Sequence, residues 1–404
     1  MYSFYPLTVY ACFAIFGLTA CSPDPDATVI DPTPVIVQEP KSSVRTLQLP
    51  ATPYPYSHIS LPLYFSQNEV LKSFAETSLT NEDNLPPENP ITDHGATLGR
   101  VLFYDQSLSA NSQVSCASCH QQALGFSDPR RQSLGFAGKK TRRHAMALIN
   151  VRYYRRARFL WDERASSLEE QVLLPFFDEI EMGLTPDSLV SIISRTSYYP
   201  SLFEKAFGSR EITLERISLA LAQFLRSIVS YRSKYDEGRM QVSSISDDFP
   251  NFTPSENLGK HLFLSRIKNG FSCFECHTTE GFIGTPVGPQ NNGLDRRSGA
   301  DRGAIESQPD RPGFEGSFKI PTLRNIALSA PYMHDGRFRT LMDVVNHYNQ
   351  GIEAHPHLSS LLKASDGQPI RLELSEEEKQ ALVDFLHSLT DFALINDPMF
   401  TDPF

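Results

Sequence analysis

Positive charge is in short supply in this chain. Lys and Arg number 37 against 47 Asp and Glu, a formal charge of −10. Such a balance argues against nucleic acid, whose phosphates reward basic surfaces, although an acidic face can steer a basic protein partner towards it. Cysteine is scarce too, with six in 404 residues. Cys12 and Cys21 belong to an apolar N-terminal run, and the other four form two close pairs, Cys116 with Cys119 and Cys273 with Cys276. No disulfide framework remains to staple a fold. Tryptophan occurs once, as Trp161. No convincing strand run appears, which leaves a chain read as mainly helical. Hydrophobic content of 40% and charged content of 21% are still globular values, and 404 residues suffice for two domains with ordinary cores.

The two cysteine pairs carry the chemistry. Cys116-Ala117-Ser118-Cys119-His120 and Cys273-Phe274-Glu275-Cys276-His277 both read C-x-x-C-H, the attachment signature of a c-type haem. Each thiol adds across one porphyrin vinyl group, and the following histidine becomes the proximal iron ligand. A thioredoxin-like redox pair would not need the trailing His, and a zinc site would need both halves to converge on one ion. Two covalent c-type haems are therefore expected, with His120 and His277 beneath their irons.

The rest of the chain is arranged around these motifs. Residues 4–20 are apolar and end at Leu18-Thr19-Ala20-Cys21, which reads as an export signal rather than a spanning helix. That ending resembles a bacterial lipobox and would make Cys21 a lipidated first residue, anchoring a periplasmic protein. The absence of Lys or Arg ahead of the run departs from the usual basic start. Haem is attached to c-type apoproteins after export, which also places the haem domains outside the cytoplasm. Residues 22–60 are rich in Pro, Asp, Thr and Ser and read as an extended tether, which we continue to residue 89. Folded domains are expected over 90–240 and 241–396. Leu98-Gly99-Arg100-Val101-Leu102-Phe103 ahead of the first haem motif is echoed by Leu258-Gly259-Lys260-His261-Leu262-Phe263 ahead of the second, so the chain carries an internal duplication. Residues 211–232 predict an amphipathic helix with Ile212, Ile217, Leu221, Phe224, Leu225 and Ile228 on one stripe. Residues 375–391 predict another, opened by a capping box at Ser375 and Glu378. The expected fold is mainly α, two cytochrome-c-like haem domains in tandem.

Further motifs turn an electron carrier into a candidate enzyme. Phe159-Leu160-Trp161-Asp162-Glu163-Arg164-Ala165, then Leu168-Glu169-Glu170-Gln171 and Glu181-Met182, are followed by Pro321-Thr322-Leu323-Arg324-Asn325-Ile326, Ala330-Pro331-Tyr332-Met333-His334-Asp335-Gly336 and His347-Tyr348-Asn349-Gln350-Gly351. In these the chain resembles the bacterial dihaem cytochrome c peroxidases and their relative MauG, the methylamine-utilisation enzyme, from about residue 91 to 390. Only Glu163, where the family has Gly, breaks the first motif and puts its local turn in doubt.

The resemblance implies that the His120 haem is peroxidatic, with Glu181 and Gln171 as the carboxylate and amide that hold peroxide and move its proton. It places Trp161 between the haems as an electron relay. For the second haem it implies Tyr348 as sixth ligand, as in MauG, where the electron-accepting peroxidases carry Met. His347 and Met333 compete for that place, and only one of His347 and Tyr348 can face the iron on a helix. His144 reads as a surface histidine rather than a distal ligand of the first haem. Asn150, Ser329 and Pro331 align with the family's calcium ligands. The implied function is a periplasmic dihaem peroxidase, reducing hydrogen peroxide with electrons from a small donor protein and relayed by the second haem. The alternatives are a MauG-like oxidase, acting on a partner protein through high-valent iron, and a non-catalytic dihaem carrier. A homodimer is common among such proteins.

Overall fold

The computed structural model describes residues 45–67, 78–267, 271–284 and 288–404. The export signal and Cys21 lie outside the described residues. Among the described residues the secondary structure is α-helix, short 3-10 turns and one π-turn, with isolated β-bridges and no strand. None of the described helices is long and apolar enough to cross a membrane. Residues 46–404 make up one compact body, and its apolar side chains gather into two main cores.

Each core is built on a crossed helix pair, and the two pairs repeat each other. In the first half the Asp93–Tyr104 helix crosses the Leu214–Ser227 helix. In the second, Pro254–Leu264 crosses Glu376–Ser388. The crossing points require glycine. A Cβ on Gly99 would lie 2.0 Å from the Ala220 carbonyl oxygen, and one on Gly259 would lie 1.8 Å from that of Ala381. With backbones this close, Phe103 meets Phe224 at 5.3 Å between ring centroids and Phe263 meets Phe385 at 5.2 Å. Both aromatic pairs are buried, and edge-on or tilted packing of this kind adds to the burial energy of the rings.

The helix ends follow local chemistry. Thr213 caps the Leu214–Ser227 helix by accepting from Arg216 N–H, so the helix starts later than the apolar stripe suggests. It ends before Ile228, whose carbonyl accepts from Asn150 N–H at 3.0 Å. The Glu376–Ser388 helix carries the expected capping box, with Ser375 Oγ accepting from Glu378 N–H and the Glu378 carboxylate accepting from Ser375 N–H.

The halves meet at a buried polar seam. Asn150 and Asn325 occupy matching places, both left-handed (φ 58° and 62°) and both opening a 3-10 turn. Asn150 Oδ1 accepts from Ser230 N–H, and Asn325 Nδ2 donates to Ser230 Oγ. Asp391 completes the seam by accepting from the backbone N–H groups of Tyr231 and Arg232. Nearby, the fully buried Arg324–Asp236 pair at 2.7 Å ties the Pro321–Asn325 motif to the segment that joins the halves.

The tether reading needs correction where the structure describes it. Tyr56, Tyr64, Phe65 and Leu79 are buried, and Tyr64 donates to Asp236. A Pro-rich segment cannot build a core of its own, but its aromatics can dock on one already formed. The C-terminal end likewise returns to the first half, where Phe400 packs against Tyr56, Phe126 and Phe224.

Candidate functional site

Two cavities open beside the C-x-x-C-H motifs. Cys116 and Cys119 sit on a single helical turn, started by Ser118 Oγ accepting from Ser115 N–H. Cys273 begins the matching turn, where Ser272 Oγ accepts from Phe274 N–H and the Glu275 carboxylate accepts from Ser272 N–H. None of the four pairs in a disulfide, and burial pushes the Cys116 and Cys273 thiols up to about 12.

The histidines are held alike. His120 Nδ1 lies 3.0 Å from the Phe126 carbonyl, and His277 Nδ1 lies 3.4 Å from that of Phe282 and 3.2 Å from that of Pro321. A proton on Nδ1 donated to a carbonyl leaves Nε2 as the lone-pair nitrogen, which is the form that ligates iron. Burial lowers both imidazoles, His277 to about 4, so each is neutral. A thiol pair, a neutral histidine and an adjoining apolar cavity are what a covalently attached haem requires, and both sites fit it.

Beyond the histidines the cavities differ. The first is lined by Phe103, Leu148, Val172, Leu221 and Leu225, with Gln171 and Glu181 as its polar contribution beside Ser115 and Thr141. Gln171 ends a one-turn helix capped by Ser167. Glu181 is placed by Asp178, whose carboxylate accepts from the N–H groups of Ile180 and Glu181. Gly135 backs this loop so closely that a Cβ there would lie 1.6 Å from the Ile180 carbonyl oxygen. Burial, with Asp178 adding to it, raises Glu181 to about 7. A carboxyl so poised gives and takes protons near neutrality.

The second cavity is larger, about 210 Å³, and is lined by Phe263, Ile320, Leu341, Val345 and Leu382 among others. Tyr348 lies in its wall. His347 is turned away, with Nε2 3.0 Å from the Asn292 carbonyl. The backbone there is a π-turn, His347–Gly351, a widening that recurs at functional sites. Asn292 Nδ2 donates to Tyr348 Oη at 3.3 Å and approaches Met333 Sδ at 3.5 Å, so Met333 shares this wall. Burial holds the Tyr348 phenol up at about 12.

Trp161 lines the second cavity, whereas Phe159 packs in the first core. Its Nε1 donates to the His144 carbonyl at 2.8 Å. His144 corrects the surface reading, because it is buried and half-encircled by backbone. Its Nδ1 is 3.0 Å from the Arg130 carbonyl and its Nε2 is 3.3 Å from Ser127 Oγ. Both ring nitrogens are thus engaged, and His144 lines the second cavity, not the first. Glu163 adopts φ 54°, so the turn forms despite the missing glycine.

The calcium reading draws no support from the geometry. Ser329 and Pro331 line the second cavity, whereas Asn150 sits in the polar seam, where its Oδ1 accepts from Ser230 N–H and its Nδ2 is buried without a partner.

Three cavity residues escaped sequence reasoning. Asn292 and Lys319 come from irregular chain without periodicity. His334 stacks on Phe318 at 3.6 Å and stands edge-on to Trp161 at 6.5 Å. The Met333-His334-Asp335 motif was the only signal that pointed at His334.

Comparison with known proteins agrees with this arrangement. The family description "Di-haem cytochrome c peroxidase" matches residues 93–242. The methylamine utilization protein MauG of Methylorubrum extorquens is 34% identical over 306 residues, covering 75% of this chain and 80% of its own. Cytochrome c551 peroxidase of Nitrosomonas europaea is 30% identical over 298 residues, covering 73% and 79%. Among solved structures, a MauG-like protein associated with microbial copper homeostasis superimposes with a TM-score of 0.71 at 30% identity, covering 86% of this chain and 99% of its own. The diheme peroxidase BthA of Burkholderia thailandensis shares the fold, with a TM-score of 0.63 at 23% identity over 77% and 90% of the two chains.

Proposed function

Because the chain belongs to the dihaem cytochrome c peroxidase and MauG family, we propose that it is a dihaem peroxidase that reduces hydrogen peroxide at the His120 site. The observation that carries this reading is Glu181, raised to about 7 and facing the Cys116–His120 cavity beside Gln171. Cys116, Cys119 and His120 would hold a haem there, which would supply the redox iron for peroxide reduction. Glu181 takes the proton from the near oxygen and returns it to the departing one. Gln171 orients the peroxide by hydrogen bonding, and the apolar lining excludes competing water. Electrons enter through the His277 site and pass by Trp161, from a small donor protein that the acidic chain attracts if it is basic. The protein works in the periplasm, anchored through Cys21.

Tyr348 favours a second reading. A phenol in the wall of the His277 cavity would favour oxidised iron in a haem held there, which suits oxidation of a partner protein in the manner of MauG more than collection of electrons.

Hydrogen peroxide added to the pure dihaem protein separates the readings. Steady peroxide consumption coupled to oxidation of a reduced small cytochrome c supports the peroxidase. A long-lived oxidised state that ignores the cytochrome supports the oxidase. Bleaching without turnover sinks both.

A further inference from the structure

Glu163 stands where the family has Gly, at a φ of 54° that favours glycine. A glutamate kept in that conformation has its side chain to justify it. The carboxylate is fully buried, accepts a hydrogen bond from Tyr154 Oη, and receives Arg156 on both oxygens, Nε to Oε1 at 3.2 Å and Nη2 to Oε2 at 3.0 Å. Tyr154 is itself fully buried, with the Lys319 amine over its ring. Lys319 lines the second cavity, and its backbone N–H donates to the Trp161 carbonyl at 2.8 Å. Lys319 thus links the Tyr154 ring to the backbone of Trp161, the one tryptophan of the chain, and the phenol is already bonded to a base. Burial drives Lys319 well below its usual range, so the amine over the ring is held towards its neutral form and opposes loss of an electron little.

We propose that Tyr154 and Glu163 form a proton-coupled redox relay, in which Tyr154 supplies an electron to the oxidised haem pair and its proton to Glu163. This rests on the peroxide reading, since peroxide provides the oxidising equivalents. One electron leaves the Tyr154 ring by way of Lys319 and Trp161 and reduces the haem pair by one equivalent. The Oη–H bond breaks, the proton passes to Glu163 Oε1, and a neutral tyrosyl radical faces a carboxylic acid. Without a bonded base the phenol would have to become a cation radical, which is far harder to reach. Arg156 keeps the carboxylate aimed before the transfer. A merely structural lock, with Glu163 holding Arg156 and the turn, would produce no radical.

The test is electron paramagnetic resonance on the ferric holoenzyme, mixed with hydrogen peroxide without a donor and frozen. A tyrosyl signal in the wild type that is absent from both Tyr154→Phe and Glu163→Gly is the expected result. The glycine variant suits the positive φ and removes the base together with its pairing to Arg156. The haem absorbance of the same samples reports whether peroxide has reacted. If it reacts and the signal is missing, or persists in either variant, the relay is overturned. A protein inert to peroxide overturns the functional reading and the relay with it.

Discussion

The two halves of this protein share a scaffold and differ in what faces the cavity. Each half crosses two helices at a glycine, stacks a pair of phenylalanines over the crossing and hangs a neutral histidine from a backbone carbonyl. Against that common background the first cavity presents Glu181 and Gln171. The second presents Tyr348 and Met333, joined by Asn292. Duplication gives two places where an iron centre can be held, and a few side chains distinguish the two cavities. On the proposed reading the carboxyl of the first cavity serves proton chemistry, and the sulfur or phenol oxygen of the second would close its site.

Changes on the catalytic side should have the largest effect. Glu181→Gln keeps the shape but cannot move a proton, and peroxide turnover by the dihaem protein should fall by about 10²–10⁴-fold with both haems still attached. Because the carboxylate must start ionised, wild-type turnover should rise with pH through about 7 and the variant should lose that limb. The sign for stability is opposite. The folded value of about 7 lies above the ordinary 4.5, so Glu181 favours folding most below 4.5, and its contribution is lost as pH rises towards 7. Glu181→Gln should therefore flatten the pH dependence of urea denaturation in that window. The counterpart in the other half, Tyr348→Phe, should alter only the absorption spectrum of the second haem and leave that of the first as it was.

Changes to the shared scaffold should be smaller and equal in the two halves. Gly99→Ala and Gly259→Ala each push a Cβ into a carbonyl oxygen, and each should lower stability by about 1–3 kcal/mol in denaturant titrations. A large cost at only one of them would mean that the two crossings are not equivalent. Smallest of all, Ser227→Ala and Ser388→Ala each remove a buried hydroxyl that donates to the carbonyl of Phe224 or Phe385. Each should cost about 0.5–1.5 kcal/mol by the same assay.

What could be read from sequence divides along the same line. The scaffold was legible because its signals are local: two C-x-x-C-H motifs, a doubled Leu-Gly-x-x-Leu-Phe segment, a capping box at Ser375. The family motifs also picked out Glu181 and Gln171, which the fold brings to one cavity from a helix end and an Asx-turned loop. Long-range packing was not legible. His144 is buried because Arg130 and Ser127 close over it, and no pattern around residue 144 announces that. The resemblance favoured Tyr348 over His347, but no local pattern showed the π-turn or the Asn292 carbonyl that engages the His347 ring. The tether was misjudged because its composition says what it cannot bury alone, not what Tyr56 and Phe65 find to dock against.

The central claim is that one haem site is open to an added ligand and the other is shut. Titration of the ferric dihaem protein with cyanide, followed by absorption of each haem, tests it most directly. The account predicts one cyanide per chain, bound at the His120 haem. Binding at both haems, or at neither, would contradict it.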